Sequence, residues 1–304
     1  MAETSETRIQ KGKPMLSLAL PKGSLEEQTY KLFDAANLKL SKPERGYNPT
    51  IDDPRVDKVK ILRPQEIPVY VTSGDFDLGI SGHDWVTESK ADVVEIAELP
   101  YAKTGTGTVK MVLAVSDTSS VQCARDIVPG SRITTEFPNI TRSYFEQLGI
   151  PVEIFFSYGA TEAKVPDFMD ALVDLTETGS TLRLNGLRII ETILESTTRL
   201  FANRASWENP DKRKAMEEIR TLLLGAIEAR GRVLLIMNTP AECLDAVIAE
   251  LPAMKRPTIS QLHGLSGYSL TSVAEKSSVN VLIPRLKAAG AEDILELPIN
   301  KIVR

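Results

Sequence analysis

The residues best suited to chemistry are two aspartates and a run of hydroxyl side chains between positions 170 and 182. Asp170-Ala-Leu-Val-Asp174 has the composition of a strand, whose period of two would place both carboxylates on one face. The turn Thr178-Gly179-Ser180-Thr181 follows, and its glycine would let a ligand approach the backbone. A helix starting there would aim free N–H groups and a positive dipole end at the same point. The segment therefore predicts a phosphate site with carboxylates beside it for sugar hydroxyls.

The same segment also has a purely structural interpretation, namely a strand that ends in a capped helix. It is not a Walker A loop, because the GxxxxGK[ST] spacing is absent. Gly105-Thr-Gly107 lacks the third glycine of a dinucleotide-binding fingerprint. The residues alone leave both interpretations open.

The elements around this segment predict an alternating α/β fold. Met15–Leu20 reads as a strand, Ser24 as the N-cap of the next helix, and Leu25–Ala36 as that helix. The same order recurs along the first hundred residues, with strands at 59–62 and 76–80 and helix starts at 63–68 and 81–84. Such alternation indicates parallel βαβ units, which bind ligands beyond the carboxyl ends of their strands.

A second α/β unit is predicted from about Gly107. Its strands are expected at 109–115, 132–136, 152–156 and 171–175, with a helix ending at Leu148. The chain is then predicted to be helical through 189–194, before a short strand at Leu200-Phe201.

The C-terminal part has a different pattern. An amphipathic helix is predicted over Pro210–Arg230. Beyond it, strands are expected at 233–237, 257–262, 269–273 and 294–298, with helices at 240–251 and 281–289. This βαββαβ order is typical of a ferredoxin-like module, a type that often serves regulation or interaction.

Composition narrows the function classes. The 304-residue chain is 42% hydrophobic and 25% charged, with a net charge of -5, so a nucleic-acid-binding protein is not expected. No apolar run is long enough to span a bilayer, and the polar start, 1–14, predicts a flexible tail rather than a signal peptide. Cys123 and Cys243 lie far apart, which favours a reducing cytoplasm over a disulfide framework.

Several ordered motifs together resemble the long form of the ATP phosphoribosyltransferase family. The resemblance covers nearly the whole chain from Met15. It is carried by Leu20–Leu25, Leu62–Pro68, Gly74–Gly82, Arg132–Thr141, the run from Glu162 through Asp174 and Thr178–Thr181 to Leu187, and the C-terminal segments Arg256–Ile259 and Pro298–Lys301.

This resemblance implies a fold and an assembly. The implied catalytic region has two lobes of the periplasmic-binding-protein type with the active site in their cleft. A small ferredoxin-like domain of the ACT or PII type would follow and bind histidine as an allosteric inhibitor. Dimers and hexamers are implied. The expected boundaries are a tail at 1–14, a first lobe at 15–106 with 188–224, a second lobe at 107–187, and a regulatory domain at 225–304.

The resemblance also implies a reaction and its residues. Adenine N1 of ATP would attack phosphoribosyl pyrophosphate, releasing pyrophosphate with the help of Mg²⁺, and no protein ligand of the metal is assigned. Catalytic roles are expected for Lys22, Arg63 and Asp174. Contacts to phosphoribosyl pyrophosphate are expected for Glu162, Asp170, Asp174, Thr178, Gly179, Ser180 and Thr181. Contacts to nucleotide and pyrophosphate are expected for Lys22, Gly23 and Arg63.

Three other functions remain compatible with the sequence. A solute-binding protein would share the two lobes but bind without turnover. A different phosphoribosyltransferase, or a porphobilinogen-deaminase-like enzyme, would share the architecture, although the latter needs a cofactor cysteine in a suitable loop. A regulatory protein could use the small domain alone to sense an amino acid.

Overall fold

A computed structural model describes residues 15–41, 46–101, 107–251 and 257–304. The predicted tail at 1–14 and Arg256 of the C-terminal motif lie outside these residues. The chain divides into two compact units, one ending at Arg220 and the other formed by Thr221–Arg304. No helix within the described ranges is both long and apolar enough to cross a membrane.

The first unit contains eleven strands among its described residues. They are β1 (Leu16–Pro21), β2 (Leu40–Ser41), β3 (Thr50–Ile51), β4 (Val56–Leu62), β5 (Leu78–Gly82), β6 (Val93–Leu99), β7 (Thr108–Ser116), β8 (Arg132–Thr135), β9 (Glu153–Phe156), β10 (Ala171–Thr176) and β11 (Leu187–Asn203). Its helices are α1 (Glu26–Ala35), α2 (Ile67–Thr72), α3 (His83–Glu88), α4 (Pro138–Leu148), α5 (Ser180–Leu184), α6 (Arg204–Glu208) and the start of α7 (Pro210–Ala229).

Nine of these strands form one extended sheet in the order β4-β1-β5-β11-β7-β10-β8-β9, with β6 also paired to β11. We call the part built from β1, β4, β5 and β6 the first lobe, and the part built from β7 to β10 the second lobe. β1 pairs in parallel with β4 and β5, and β8 pairs in parallel with β9 and β10. These parallel pairings confirm the βαβ units.

The long strand β11 joins the two lobes. Its residues Leu187–Thr197 pair with β7, and its residues Thr198–Asn203 pair with β5 and β6. The helix predicted at 189–194 is therefore wrong. Register shifts at Ile189/Glu191 and Thr192/Leu194 interrupt the alternation of a regular strand. The apolar residues consequently fall at a spacing that resembles a helix.

Apolar burial explains the elements of both lobes. β1 is buried almost throughout, as expected for a strand covered on both faces. In the second lobe, α4 packs Ile140 and Phe145 against the sheet and ends at Gly149, whose positive φ of 71° provides a left-handed C-cap.

The second unit is a separate ferredoxin-like module. It contains β12 (Arg232–Pro240), α8 (Leu244–Glu250), β13 (Thr258–Gln261), β14 (Gly267–Glu275), α9 (Val279–Ala288) and β15 (Glu292–Pro298). Its sheet has the antiparallel order β13-β14-β12-β15, and a core of Leu235, Met237, Val247, Leu282 and Leu286 lies under the helices. The fold class predicted from the sequence, a two-lobed, periplasmic-binding-protein-like α/β region with a ferredoxin-like α+β module, is thereby confirmed.

Candidate active site

The hydroxyl-rich loop lies at the carboxyl end of β10, where a parallel sheet presents its ligand sites. The backbone N–H of Gly179 donates to Thr176 Oγ1 at 2.8 Å, and the hydroxyls of Thr178 and Ser180 lie 3.0 Å apart. Thr178, Ser180 and Thr181 are all exposed to solvent at one cavity. The loop is thus ordered by its own hydrogen bonds and presents three hydroxyl groups to a ligand.

Gly179 is required by the shape of this loop. Its φ of 71° lies in the left-handed region, which side chains with a Cβ adopt only with strain. A Cβ at this position would also lie 3.1 Å from Arg183 Nη1 and 3.1 Å from Ile189 Cδ1. The guanidinium of Arg183 therefore folds back over the loop, adding a cation that the sequence analysis missed.

The helix after the loop is shorter than expected. α5 spans only Ser180–Leu184, little more than one turn. A helix macrodipole grows as successive peptide dipoles align. Because α5 is so short, it contributes little of the predicted dipole field. The side-chain hydroxyl groups and Arg183 are therefore the donors that this loop offers to an anion.

The predicted carboxylates Asp174 and Glu162 lie at the same cavity as the loop. This cavity has a volume of about 600 Å³, and its wall includes Glu162, Asp174, Glu177 and the three loop hydroxyls. Burial raises the pKa of Asp174 to about 6, and the neighbouring Glu136 and Glu162 add to this effect. The three loop hydroxyls and two of the predicted carboxylates thus line one cavity.

A buried network of hydrogen bonds holds the Asp174 carboxylate. The Thr161 hydroxyl bonds to the Asp174 carboxylate, and Leu175 N donates to Asp174 Oδ1 at 2.7 Å. Thr161 Oγ1 lies 2.9 Å from Ser157 Oγ, which accepts from Lys164 Nζ at 2.6 Å. Ser157 and Thr161 are both fully buried. These contacts hold the carboxylate in one orientation.

The raised pKa of Asp174 predicts a pH-dependent difference in stability between the wild type and Asp174→Asn. The folded pKa of about 6 lies above the ordinary value of 3.8, so folding favours the protonated acid. The stabilisation of the folded state by the protonated acid is present at low pH and is lost as the pH rises through 6. The free energy of unfolding then falls by at most about 3 kcal/mol. Thermal unfolding between pH 4 and 8 should show Asp174→Asn gaining stability relative to wild type as pH rises.

The exposed Asp167→Asn is the matched control for this measurement, because it removes a carboxylate from the same lobe without touching the cavity. Its unfolding curve should follow that of the wild type across the range. Parallel pH profiles for Asp174→Asn and wild type would contradict the buried-carboxylate assignment.

The predicted first-lobe residues lie at the ends of two neighbouring strands. Pro21 of β1 is opposite Leu62 of β4, and Lys22 N donates to Leu62 O at 2.7 Å. Lys22 and Arg63 therefore both follow the carboxyl ends of adjacent parallel strands. Lys22 Nζ lies 3.2 Å from the Tyr47 hydroxyl and 4.4 Å from its ring centroid. The lobe thus places two cations at its ligand-facing edge.

Ser24 does not cap the following helix, which corrects the sequence prediction. A 3-10 turn spans Gly23–Leu25, and α1 begins at Glu26 with Leu25 in the N-cap position and no side-chain cap. Gly23 has a φ of 85°, which the turn requires. The turn leaves Ser24 at the wall of a second cavity between the lobes.

This second cavity, of about 170 Å³, joins the two lobes. Its first-lobe wall includes Ser24, Pro64 and Asp84, and its second-lobe wall includes Leu175 and Glu177. Leu175 and Glu177 also line the larger cavity at the hydroxyl loop. The two cavities therefore adjoin, and the first-lobe turns and the hydroxyl loop share one cleft.

Two buried polar groups in this cleft were missed by the sequence analysis. Asp84 is only 3% exposed; burial raises the pKa of its carboxyl, which accepts from the Ser196 hydroxyl. Thr197 Oγ1 is buried without a hydrogen-bond partner among the described residues. Leu25 and Trp85 supply apolar surface nearby. Such a pocket suits a flat ring with polar edges.

These groups had no recognisable signal in the sequence. Asp84 looks like an ordinary residue in the first turn of a helix, and Ser196 and Thr197 belong to the long strand β11. Trp85 packs on Phe137 with ring centroids 4.4 Å apart and also lines the cleft. The pairing of β5 with β11 brings the start of α3 beside Ser196 and Thr197.

Asp170 lies elsewhere, so the structure does not place it with the other predicted ribose contacts. It is exposed at the opposite end of β10, where its Oδ2 accepts from Arg132 N at 2.7 Å. It lines a different cavity, together with Thr118. The period of two was a valid guide to the strand face. However, four residues along a strand separate Asp170 from Asp174 by about 13 Å.

The carboxylates of the cleft fit a magnesium ion that takes most of its ligands from a substrate. Within the described ranges, no three His, Cys, Asp or Glu side chains could hold a metal by themselves. Mg²⁺ commonly uses one or two carboxylates together with substrate phosphates and water. Burial raises the pKa of Asp174 most, repulsion from Glu136 and Glu162 adds to it, and a cation beside Asp174 and Glu162 would relieve that repulsion.

Comparisons with known proteins agree with this architecture. Residues 63–225 match the HisG family model, described as ATP phosphoribosyltransferase, and residues 229–301 match the model for the HisG C-terminal domain. ATP phosphoribosyltransferases of Pelotomaculum thermopropionicum and Desulforudis audaxviator are 47% and 48% identical, over 95% of this chain and 99% of each relative. A chain of the ATP phosphoribosyl transferase (HisG:HisZ) complex from Thermotoga maritima aligns with a TM-score of 0.59 and 27% identity, covering 69% of this chain and 99% of that one.

Proposed function

This chain belongs to the ATP phosphoribosyltransferase family, in the long form with the family's C-terminal domain, and we propose that it joins ATP to phosphoribosyl pyrophosphate at adenine N1. The products are N1-phosphoribosyl-ATP and pyrophosphate, in the first step of histidine biosynthesis. The observation that carries this proposal is the single cleft in which the hydroxyl loop and its carboxylates adjoin the first-lobe turns that follow Lys22 and Arg63.

The two cavities of the cleft suit the two substrates. The hydroxyls of Thr178, Ser180 and Thr181 bind the 5′-phosphate of the sugar, which needs several short donors in one place. Asp174 and Glu162 accept hydrogen bonds from the ribose hydroxyls. The purine of ATP enters the narrower cavity beside Asp84 and Thr197, whose polar groups contact its ring edge.

The reaction needs orientation and charge stabilisation more than a strong base. The lone pair of adenine N1 forms the new bond to the anomeric carbon, the bond from that carbon to pyrophosphate breaks, and inversion results. Lys22 and Arg63 stabilise the negative charge that develops on the departing pyrophosphate. Bound Mg²⁺ would neutralise further pyrophosphate charge. The shared cleft supplies proximity between the two substrates.

The C-terminal unit is the proposed site of feedback regulation. It is a ferredoxin-like module that matches the family's C-terminal domain over residues 229–301. We place histidine, acting as an allosteric inhibitor, on this unit, and we propose that the chain assembles into dimers and hexamers. This assignment depends on family membership and on the module's fold.

An assay with ATP, phosphoribosyl pyrophosphate and Mg²⁺ tests the proposed function. Product should accumulate, as followed by its near-ultraviolet absorbance, and addition of histidine should lower the rate. A truncated chain ending at Arg220 lacks the proposed histidine site, so its rate with and without histidine is the comparison for the inhibition. Circular dichroism must first show that this truncated chain folds.

The outcomes of this assay separate the alternatives. Binding of phosphoribosyl pyrophosphate without any product under these conditions would favour a solute-binding protein and remove the catalytic proposal. Product formation that histidine leaves unchanged would keep the enzyme and remove the regulatory proposal.

A further inference from the structure

A carboxylate of the first lobe caps a helix of the second lobe. Glu88, the last residue of α3, is 7% exposed. Its Oε1 accepts from Asn139 N at 2.9 Å, and its Oε2 accepts from Ile140 N at 2.9 Å. Both N–H groups lie in the first turn of α4, where a helix has no internal acceptors for them. The carboxylate thus meets the positive end of α4.

Two further contacts lie beside this carboxylate. Asn139 Nδ2 donates back to the Glu88 carbonyl oxygen at 2.9 Å, and the Trp85 and Phe137 rings pack with centroids 4.4 Å apart. These contacts are side-chain links between the lobes, whereas β11 links them through the main chain. Together they join α3 to the start of α4 at three points.

One of the joined segments lines the cleft, and the other begins on the same side of the sheet as the hydroxyl loop. α3 begins with His83, and its residues Asp84 and Trp85 line the narrower cavity. α4 starts just after the carboxyl end of β8, which pairs in parallel with β10 and so ends on the same side of the sheet as the hydroxyl loop. A shift of α3 relative to α4 would therefore change the distance between the two substrate sites.

We propose that Glu88 is a positioning residue that holds the two lobes at the separation needed for phosphoribosyl transfer. Its carboxylate touches neither cavity and acts through α3 and α4. This inference rests on the proposed function for its kinetic consequence, but its structural consequence is independent of catalysis. Small errors in the relative position of two reactants lower rates strongly. A loosened contact should therefore change both the distance between the lobes and the rate of the reaction.

The test uses Glu88→Gln in the full-length chain, which keeps the side-chain volume but removes the charge and one acceptor oxygen.

Spin labels at Glu27 of α1 and Gln147 of α4, in a Cys123→Ser/Cys243→Ser background, report the distance between lobes. The variant should show a broader and shifted distance distribution. The value of kcat/KM should fall about tenfold, with KM rising for both substrates. Glu146→Gln, on the exposed side of α4, is the control and should match the parent protein.

A purely structural cap would behave differently. Glu88→Gln would then melt at a lower temperature yet keep the parent's distance distribution and kinetic constants, and this result would overturn the proposal. If Glu88→Gln does not fold, Asn139→Ala removes the Nδ2 contact between the lobes, together with a bond from Arg142 Nη1 within α4, and should shift the distances in the same direction by less. An unchanged distribution in that variant would also overturn the proposal. A changed distribution in a chain that makes no product would support the lobe contact and reject only the proposed function.

Discussion

The double variant Thr181→Ala/Asp174→Ala is expected to lose at least about a thousandfold in kcat/KM for phosphoribosyl transfer while keeping its fold. Thr181 contributes a hydroxyl to the hydroxyl-rich loop, and Asp174 is the buried carboxylate of the same cavity. Under the proposed function, their loss removes one contact to the phosphate and one to the ribose. Because burial raises the pKa of Asp174, its removal should not destabilise the folded chain at neutral pH.

The second lobe offers a matched control for this variant. Thr118→Ala/Asp170→Ala also removes one hydroxyl and one carboxylate, but both line the other cavity at the opposite end of β10. It should retain close to wild-type turnover, with circular dichroism and thermal unfolding establishing that both double variants fold. Normal turnover by Thr181→Ala/Asp174→Ala would show that the site is misplaced, and inactivity of the control alone would restore Asp170 to the site.

Lys22→Met is expected to lower kcat by about a hundredfold to a thousandfold, with a smaller effect on the dissociation constant of ATP. The change keeps the length and apolar stem of the side chain but removes the ammonium that follows β1. Charge on the departing pyrophosphate develops mainly in the transition state, so the missing cation should affect turnover more than binding. Steady-state kinetics together with equilibrium binding of ATP separate the two effects.

Lys31→Met provides the comparison, since Lys31 is an exposed residue of the same lobe paired with Glu27 at 2.6 Å. It alters net charge equally and should leave kcat unchanged. An equal loss in both variants would point to a general electrostatic effect. A Lys22→Met variant with normal kcat and weakened ATP binding would assign Lys22 to ground-state binding alone.

The misplaced predictions share a physical cause. Asp170 and Asp174 were grouped by strand periodicity, which determines the face of a residue but not its distance from the end where a ligand binds. Residues 189–194 were assigned to a helix because two bulges change the apolar spacing of β11. Ser24 was placed at a helix start, although a 3-10 turn moves that start to Glu26.

The sequence by itself determined the alternating α/β order, the C-terminal βαββαβ module and the hydroxyl loop after β10. Each depends on local patterns, such as apolar periodicity and the glycine of a tight turn. The cleft was decided only by the tertiary structure. Asp84, Thr197 and Arg183 acquire their surroundings from strand pairing and from a short helix, and the raised pKa of Asp174 comes from burial among other acidic groups. Burial and electrostatic neighbourhood are properties of the packed chain, so residues distant in sequence reveal them only after folding.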